Sequence, residues 1–446
     1  MSNIQKEAIF YPGFADSKSY RIPSMITTSK GTVIAGIDAR LADQRDNPNK
    51  IDVTIRRSED HGKTWGPAQK LVAYAGEGLD GAAAIDTALL EDEVTSTIFM
   101  IFCHTPGGVG LWNSESGIGF DSDGRKQLYD QNGQCYFLAK DGQVYDSENN
   151  LTDYTVDDQG NVNKETQLHG NIYLKKGSDL NESLLEARTS FLQIIQSDDD
   201  GRTWSKPREL NVMVKEEWMK FIGSGPGCGI QLKQGKHAGR LVFPIYFSNE
   251  AGHLSCACIY SDDHGVTWKR GESPNDGREL DGEILSAETI SEGKQYLTES
   301  QVIELPTGEL KYYLRNHYGI QRTAVTTSTD GGETWGEVTF DMALVDPTCQ
   351  SSVVLYPDLG DGKVRVLFSN PDDEKTRVKG TVRLSEDGGK TWPYSKVIED
   401  GYYGYSCLTV LKNGEIGVLY ERVYDYSDWN NMDIQFCTFT LEWLKS

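Results

Sequence analysis

The sequence predicts an all-β fold: a six-bladed β-propeller of four-stranded blades, carrying a small inserted β-rich domain. Three observations lead there. One eight-residue pattern occurs five times, its last four copies are almost evenly spaced, and the interval after the first copy is far too long. The pattern, Ser-x-Asp-x-Gly-x-Thr-Trp, reads SEDHGKTW (58–65), SDDDGRTW (197–204), SDDHGVTW (261–268), STDGGETW (328–335) and SEDGGKTW (385–392). Repetition of this kind marks an architecture built from one supersecondary unit used many times.

Each copy follows a run that reads as a strand, such as IDVTIRR (51–57) or FLQII (191–195). Ser and Asp side chains can bond nearby backbone N–H groups and Gly can take positive φ, so the box describes a tight turn between strands. The Trp is a large apolar anchor placed to pack under that turn. The boxes are therefore staples of the fold, not catalysts. Copies begin at 58, 197, 261, 328 and 385, giving intervals of 139, 64, 67 and 57 residues. An interval near sixty, rich in short strands and turns, suits one four-stranded blade with generous loops. Five boxes plus one blade's worth of sequence at the two ends give the count of six.

The long first interval implies an insertion, and the expected division is propeller over 1–112, inserted domain over 113–188 and propeller again over 189–446. The inserted stretch has its own texture. DQNGQCYF, AKDGQVYD, SENNLTDYTV and DDQGNVNK alternate turn clusters with short apolar pairs, which reads as a small irregular β module. Tyr129, Tyr136, Phe137, Tyr145, Tyr154 and Tyr173 supply aromatic mass that a disordered linker lacks.

Composition suits a well-packed β protein: 446 residues, 37% hydrophobic and 10% aromatic. Forty-four basic against 67 acidic residues leave a formal charge of −23, which argues against nucleic acid or an anionic membrane as partner. An anionic small molecule gripped by local arginines stays open. No apolar run is long enough for membrane insertion, and the opening MSNIQKEAIFYPGF lacks the basic and apolar regions of a signal peptide. As it stands the chain is expected in the cytoplasm; a trimmed catalytic segment of a secreted protein would begin in a similar way. Its eight cysteines are scattered without a CxxC pair, so neither a disulfide framework nor a metal site is expected.

A propeller gathers its site from several blades, so the functional residues must be sought far apart in the sequence. Near the start, Tyr20-Arg21-Ile22-Pro23 precedes the apolar run 24–27, and an arginine opening such a strand suits an anion. With the boxes, this tripeptide resembles the Arg-Ile-Pro motif of the sialidases (neuraminidases), in which such boxes are called Asp-boxes. The resemblance runs over essentially the whole chain, and NLTDYTVDDQGNV and HGNIYL in the long interval are similar to the insertion domain of secreted bacterial members.

The resemblance implies a site. Arg21, Arg315 (YYLRNH) and Arg377 (EKTRVKG) would form the triad that grips the substrate carboxylate, with fork geometry that lysine cannot supply. Tyr405 (GYYGYSCL) would be the nucleophile, with Tyr402 and Tyr403 as packing neighbours, and Glu299 (YLTESQVIEL) its base. A neutral phenol avoids the like-charge repulsion that a carboxylate nucleophile would meet at an anomeric carbon bearing its own carboxylate, provided a base takes its proton. Asp46, in LADQRDNPNKID, would be the general acid in preference to Asp43. Arg40 and Asp86 would face the ring hydroxyl and N-acetyl side, beside Ile22, and Trp429 or Tyr426 in VYDYSDWNNMD would supply an aromatic wall. No cofactor and no metal is implied.

The function expected from the resemblance is a retaining exo-α-sialidase that hydrolyses terminal sialic acids of glycoproteins, glycolipids or other sialylated glycans, as a monomer. Two alternatives stand beside it: an intramolecular trans-sialidase releasing 2,7-anhydro-sialic acid, and a non-catalytic glycan- or protein-binding propeller, since boxes alone say nothing of activity.

Overall fold

The computed structural model describes residues 4–446. Two short α-helices, Asn211–Val214 and Leu441–Lys445, are the only α-helical segments among them, so the all-β expectation holds. The strands of the boxed repeats end where the boxes begin: Ser58, Ser197, Ser261, Ser328 and Ser385 are each the last residue of a strand. The local chemistry repeats five times. Ser58 Oγ accepts from the Gly62 N–H at 2.8 Å, and Asp60 Oδ1 accepts from the Thr64 N–H at 2.8 Å. Gly62 lies at φ 80°, and the glycines at the same place in the other boxes, Gly201, Gly265, Gly332 and Gly389, lie between 77° and 88°, a region closed to most L-residues.

The box tryptophans act between sheets. Trp65 meets Phe436 edge-on at 5.1 Å, Trp268 meets Phe99 at 6.4 Å, and Trp392 meets Tyr313 at 6.5 Å. In each pair the strand that leads into the box and the ring its Trp meets belong to different sheets. The large apolar area of each indole therefore joins neighbouring repeats as well as sealing its own turn.

The expectation of six separate four-stranded blades is not met. Among the described residues, four sheets stand as discrete propeller blades. One joins Leu241–Ser248 and Leu254–Ser261 with Ile222–Ser224, Lys269–Arg270 and Ile230–Gln231. The next two run Leu297–Glu304 to Thr339–Val345 and Ser352–Leu355 to Tyr394–Tyr402. The last joins Ser406–Val410, Ile416–Val423 and Met432–Phe439 to the first strand, Lys6–Phe10. The remaining propeller strands form one nine-stranded sheet that includes Ser19–Thr27, Val33–Arg40, Ile51–Ser58, Ala83–Asp92, Thr97–Thr105 and Phe191–Ser197. The weld is local: Ile51 pairs in parallel with Ala83, bridging what box counting would separate. The strand pairing thus defines four blades beside one wide sheet.

Between Thr97–Thr105 and Phe191–Ser197, strands from Lys126–Tyr129 to Gln167–Asn171 plus Leu185–Glu186 make a seven-stranded antiparallel sheet. It curls until it nearly closes, because the Glu186 N–H donates to the Ile172 carbonyl at 2.9 Å. Leu128, Val144, Val156, Val162, Ile172 and Leu184 form its own core. A buried hydrogen-bonded network ties it to the propeller: His104 Nε2 and Lys126 Nζ lie 2.6 and 2.9 Å from the two oxygens of Glu186.

Candidate active site

The innermost strands converge, and their ends bring together residues hundreds of positions apart. Tyr405 lies just ahead of the strand Ser406–Val410, buried against Ile22 and Cys349. Its hydroxyl donates to Glu299, from the strand Leu297–Glu304, and accepts from Arg315 Nη1 at 2.8 Å. Arg315 also pairs with the second oxygen of Glu299. Burial first, and then the facing Glu299 carboxylate, push the Tyr405 phenol well above its ordinary value, against the pull of Arg315, Arg377 and Arg21. The phenol is thus neutral and in direct contact with the group that can take its proton.

Two further guanidiniums flank the same ring. The Cζ atoms of Arg21 and Arg377 stand 5.4 and 5.5 Å from its centroid. Arg377 has no carboxylate partner among the described residues, and Arg315 Nε is buried without a hydrogen-bond acceptor. Three cations around one phenol, one of them unpaired, are an arrangement that can hold an anion.

Arg21 is aimed by the backbone. Ile22 takes φ 63°, and the pairing with Val33–Arg40 shifts register between Arg21 and Ser24. This bulge lets Ile22 turn in beneath Tyr405. The strain is held by Glu421, a carboxylate with no exposed surface that accepts from Arg21 Nε at 3.1 Å, the Ile22 N–H at 2.9 Å and the Tyr405 N–H at 3.0 Å. One side chain thus fixes the first arginine and the backbone of the tyrosine. Sequence reasoning missed it. The available signal was a lone carboxylate in IGVLYERV, following five residues, Ile416 to Tyr420, that carry no charge.

Asp46 reaches the same group of charges from the loop 41–50. Its Oδ1 lies 2.7 Å from Arg40 Nη1 and 3.6 Å from Arg21 Nη1, while 63% of the side chain remains open to solvent. Desolvation raises its carboxyl, but Arg40 and Arg21 prevail and draw it down to about 2. Asp43, the local competitor, pairs instead with Arg45, outside this cluster.

Arg40 is completely buried and links Asp46 to Asp38, whose Oδ2 accepts from Arg40 Nη2 at 3.1 Å. Asp38 in turn accepts the Asp86 N–H at 3.0 Å, and Tyr246 Oη donates to Asp86 Oδ2 at 2.9 Å. Burial, with Asp38, Glu299 and Asp46 nearby, pushes Asp86 far above the usual carboxylate range. Asp86 sits at φ 62° on a register shift of its own strand. Asp38 and Tyr246 were not anticipated. Nothing local in GIDAR or FPIYF marks them, since their role is set by partners on other strands.

Trp429 and Tyr426, expected as a wall, both pack about Tyr402. Trp429, 45% exposed, meets Tyr402 edge-on at 5.4 Å, and the Tyr402 N–H donates to the Tyr426 hydroxyl oxygen at 2.9 Å. Asn430 Oδ1 accepts from the Gln44 N–H at 3.1 Å, tying this loop to the one that carries Asp46. Tyr403 is turned away, bonded to Ser369 Oγ at 2.6 Å and stacked on Tyr420. Arg21, Arg315, Arg377, Tyr405, Glu299 and Asp46 therefore meet at one place, with Ile22 below them and Arg40 and Asp86 linked through Asp38.

A phenol against a carboxylate inside a cationic ring, set among boxed repeats, defines a class: the chain belongs to the sialidase and BNR-repeat propeller superfamily. The family model described as a BNR repeat-like domain matches residues 172–418. The chain is similar to the intramolecular trans-sialidase from Ruminococcus gnavus, whose crystal structure in complex with oseltamivir carboxylate aligns with a TM-score of 0.82 at 31% identity, covering 100% of this chain and 99% of that one. It is 32% identical to the anhydrosialidase of Macrobdella decora over 96% of this chain and 61% of the relative, and 30% identical to the sialidase of Micromonospora viridifaciens over 96% and 52%. The chain thus spans between half and two thirds of these two curated relatives. No helix among the described residues is long and apolar enough to cross a membrane.

Proposed function

We propose that the protein is a retaining glycosidase of terminal sialic acids, and that it acts as an intramolecular trans-sialidase, releasing 2,7-anhydro-sialic acid from sialylated glycans. The observation that carries the glycosidase reading is the Tyr405–Glu299–Arg315 contact inside the arginine ring. In this reading the sugar carboxylate lies against Arg21, Arg315 and Arg377. Tyr405 Oη attacks the anomeric carbon as its proton passes to Glu299, and Asp46 protonates the departing glycosidic oxygen. In the second step the sugar's own 7-hydroxyl attacks the same carbon. Its proton goes to Asp46, and Tyr405 leaves with a proton from Glu299. Atoms balance: one glycosidic bond is broken and one internal ether is made.

Two observations favour the internal nucleophile over water. The proteins with which the chain shares its full-length fold and nearly a third of its residues include the intramolecular trans-sialidase and the anhydrosialidase named above. Tyr402, which feels the charges of Arg21 and Arg377, also packs in one cluster with Trp429 and Tyr426, and such a cluster beside the arginines would exclude water from a reactive intermediate.

Arg40 and Arg21 hold Asp46 ionised, so its acid role depends on the substrate. A carboxylate arriving at Arg21 competes for the charge that holds Asp46 low and so raises it toward protonation. The test is the product. Incubation with 3′-sialyllactose followed by NMR should give 2,7-anhydro sugar; free sialic acid as the first product would return the reading to simple hydrolysis. Absence of turnover by folded protein would leave the binding-propeller alternative.

A further inference from the structure

Trp112 is the most exposed aromatic side chain among the described residues, with 77% of its surface in water. An exposed indole on a slack loop would carry no message. This loop is not slack. Leu111 packs into the core with Ile51, Ile85 and Tyr246. Asn113 Oδ1 accepts the Gly110 N–H at 2.8 Å and its Nδ2 donates to the Gly108 carbonyl at 2.9 Å, while Ser114 Oγ donates to the Gly110 carbonyl at 2.9 Å. Every neighbour of Trp112 is pinned, and the largest apolar side chain of the turn is held out in solvent.

The position of the turn matters more than its stiffness. Gly110 lies directly on the backbone of the Asp46 loop: a Cβ there would fall 2.1 Å from the Asn47 carbonyl oxygen and 3.0 Å from Pro48, so no side chain fits. Asn47 is tied to the same region by its Nδ2 donating to Thr105 Oγ1 at 2.8 Å. Asp46, one residue away, is the group that must touch the glycosidic oxygen. Whatever lies beyond that oxygen is the leaving part of the substrate, and the turn that carries Trp112 packs through Gly110 on the Asn47 backbone, next to Asp46.

We propose that Trp112 is a stacking platform for the leaving sugar, binding the pyranose next to the sialic acid by its apolar face. The inference rests on the glycosidase reading above and deepens it, because it assigns the chain a preference for glycan leaving groups over none. The pinned turn holds the backbone that presents the indole, so the platform is placed with little backbone ordering cost.

The test is binding without turnover. In the full chain carrying Tyr405→Phe, calorimetry compares 3′-sialyllactose with the planar unsaturated sialic acid analogue, which has no leaving group. Adding Trp112→Ala should weaken 3′-sialyllactose about five-fold, or about 1 kcal/mol, and shift the analogue by less than about two-fold. Trp112→Phe, which keeps an aromatic face, should recover most of the loss. Equal weakening of both ligands, or of neither, overturns the platform. A Tyr405→Phe chain that binds neither ligand overturns the glycosidase reading itself, and the platform falls with it.

Discussion

Replacing Glu421 by Gln isolates the element that sets the geometry of the site. Glu421 presents two oxygens to the Arg21 guanidinium and to the N–H groups of Ile22 and Tyr405, with no surface in water. A glutamine keeps the shape but has one carbonyl oxygen. Its amide hydrogens must then face either the Tyr405 N–H or the Ile22 N–H with Arg21, donor against donor. Breaking a buried ion pair from one side costs about 3–5 kcal/mol. Arg21 is 12% exposed and keeps Asp46 at 3.6 Å, so the lower end, about 3 kcal/mol, is expected. Catalysis should suffer more than stability, because Arg21 and Tyr405 both shift: a misplacement of about 1 Å costs on the order of 100-fold. Urea titration followed by tryptophan fluorescence measures the first and steady-state turnover of an aryl sialoside the second. An unchanged urea midpoint together with kcat/KM within about three-fold of the parent would refute the argument.

Other consequences are directly measurable. Tyr405→Phe should lower turnover of an aryl sialoside by about 1,000-fold or more, since the attacking oxygen is gone; near-normal rates would remove Tyr405 as nucleophile. Arg377→Lys keeps the charge and loses the fork, so the planar analogue should bind about 10-fold or more weaker by calorimetry, and unchanged affinity would take Arg377 out of the receptor. Binding of that analogue at pH 4–6 should take up protons, because its carboxylate raises Asp46 from about 2; calorimetry in buffers of different ionisation enthalpy reads the number, and none taken up would refute the coupling. Asp60 is drawn to about 2, chiefly by the Thr64 hydroxyl, and Asp199 likewise by Thr203. Both folded values lie below the unfolded one, so their stabilisation is complete above about pH 4 and is lost as pH falls through about 2. The stability difference between parent and Asp60→Asn should therefore shrink across that window in thermal melts, and a difference constant with pH would contradict the assignment.

What was legible in the sequence follows from how local the causes are. A box closes within eight residues, so Ser58, Asp60, Gly62 and Thr64 announce their own turn. The seven-stranded insertion was legible as β structure because its turns recur every few residues. The blade count was not, because box spacing carries no trace of the parallel Ile51–Ala83 pairing that merges two repeats into one sheet. The same rule governs the site. Arg21 is visible through its tripeptide, and Tyr405, Glu299, Arg315, Arg377 and Asp46 through resemblance. Glu421, Asp38 and Tyr246 act through partners on other strands, the first of them 400 positions from Arg21, and no window of sequence holds both ends of such a contact.

The strand Lys6–Phe10 pairs with Met432–Phe439, so the first-made piece of the last sheet must wait for nearly the whole polypeptide. Arg21 waits for Glu421 over almost the same span. A chain still emerging from the ribosome therefore owns Arg21 and the loop that carries Asp46, yet it cannot aim them. Ring closure and the birth of catalytic competence become a single late event, and C-terminal shortening into that final strand should abolish both together.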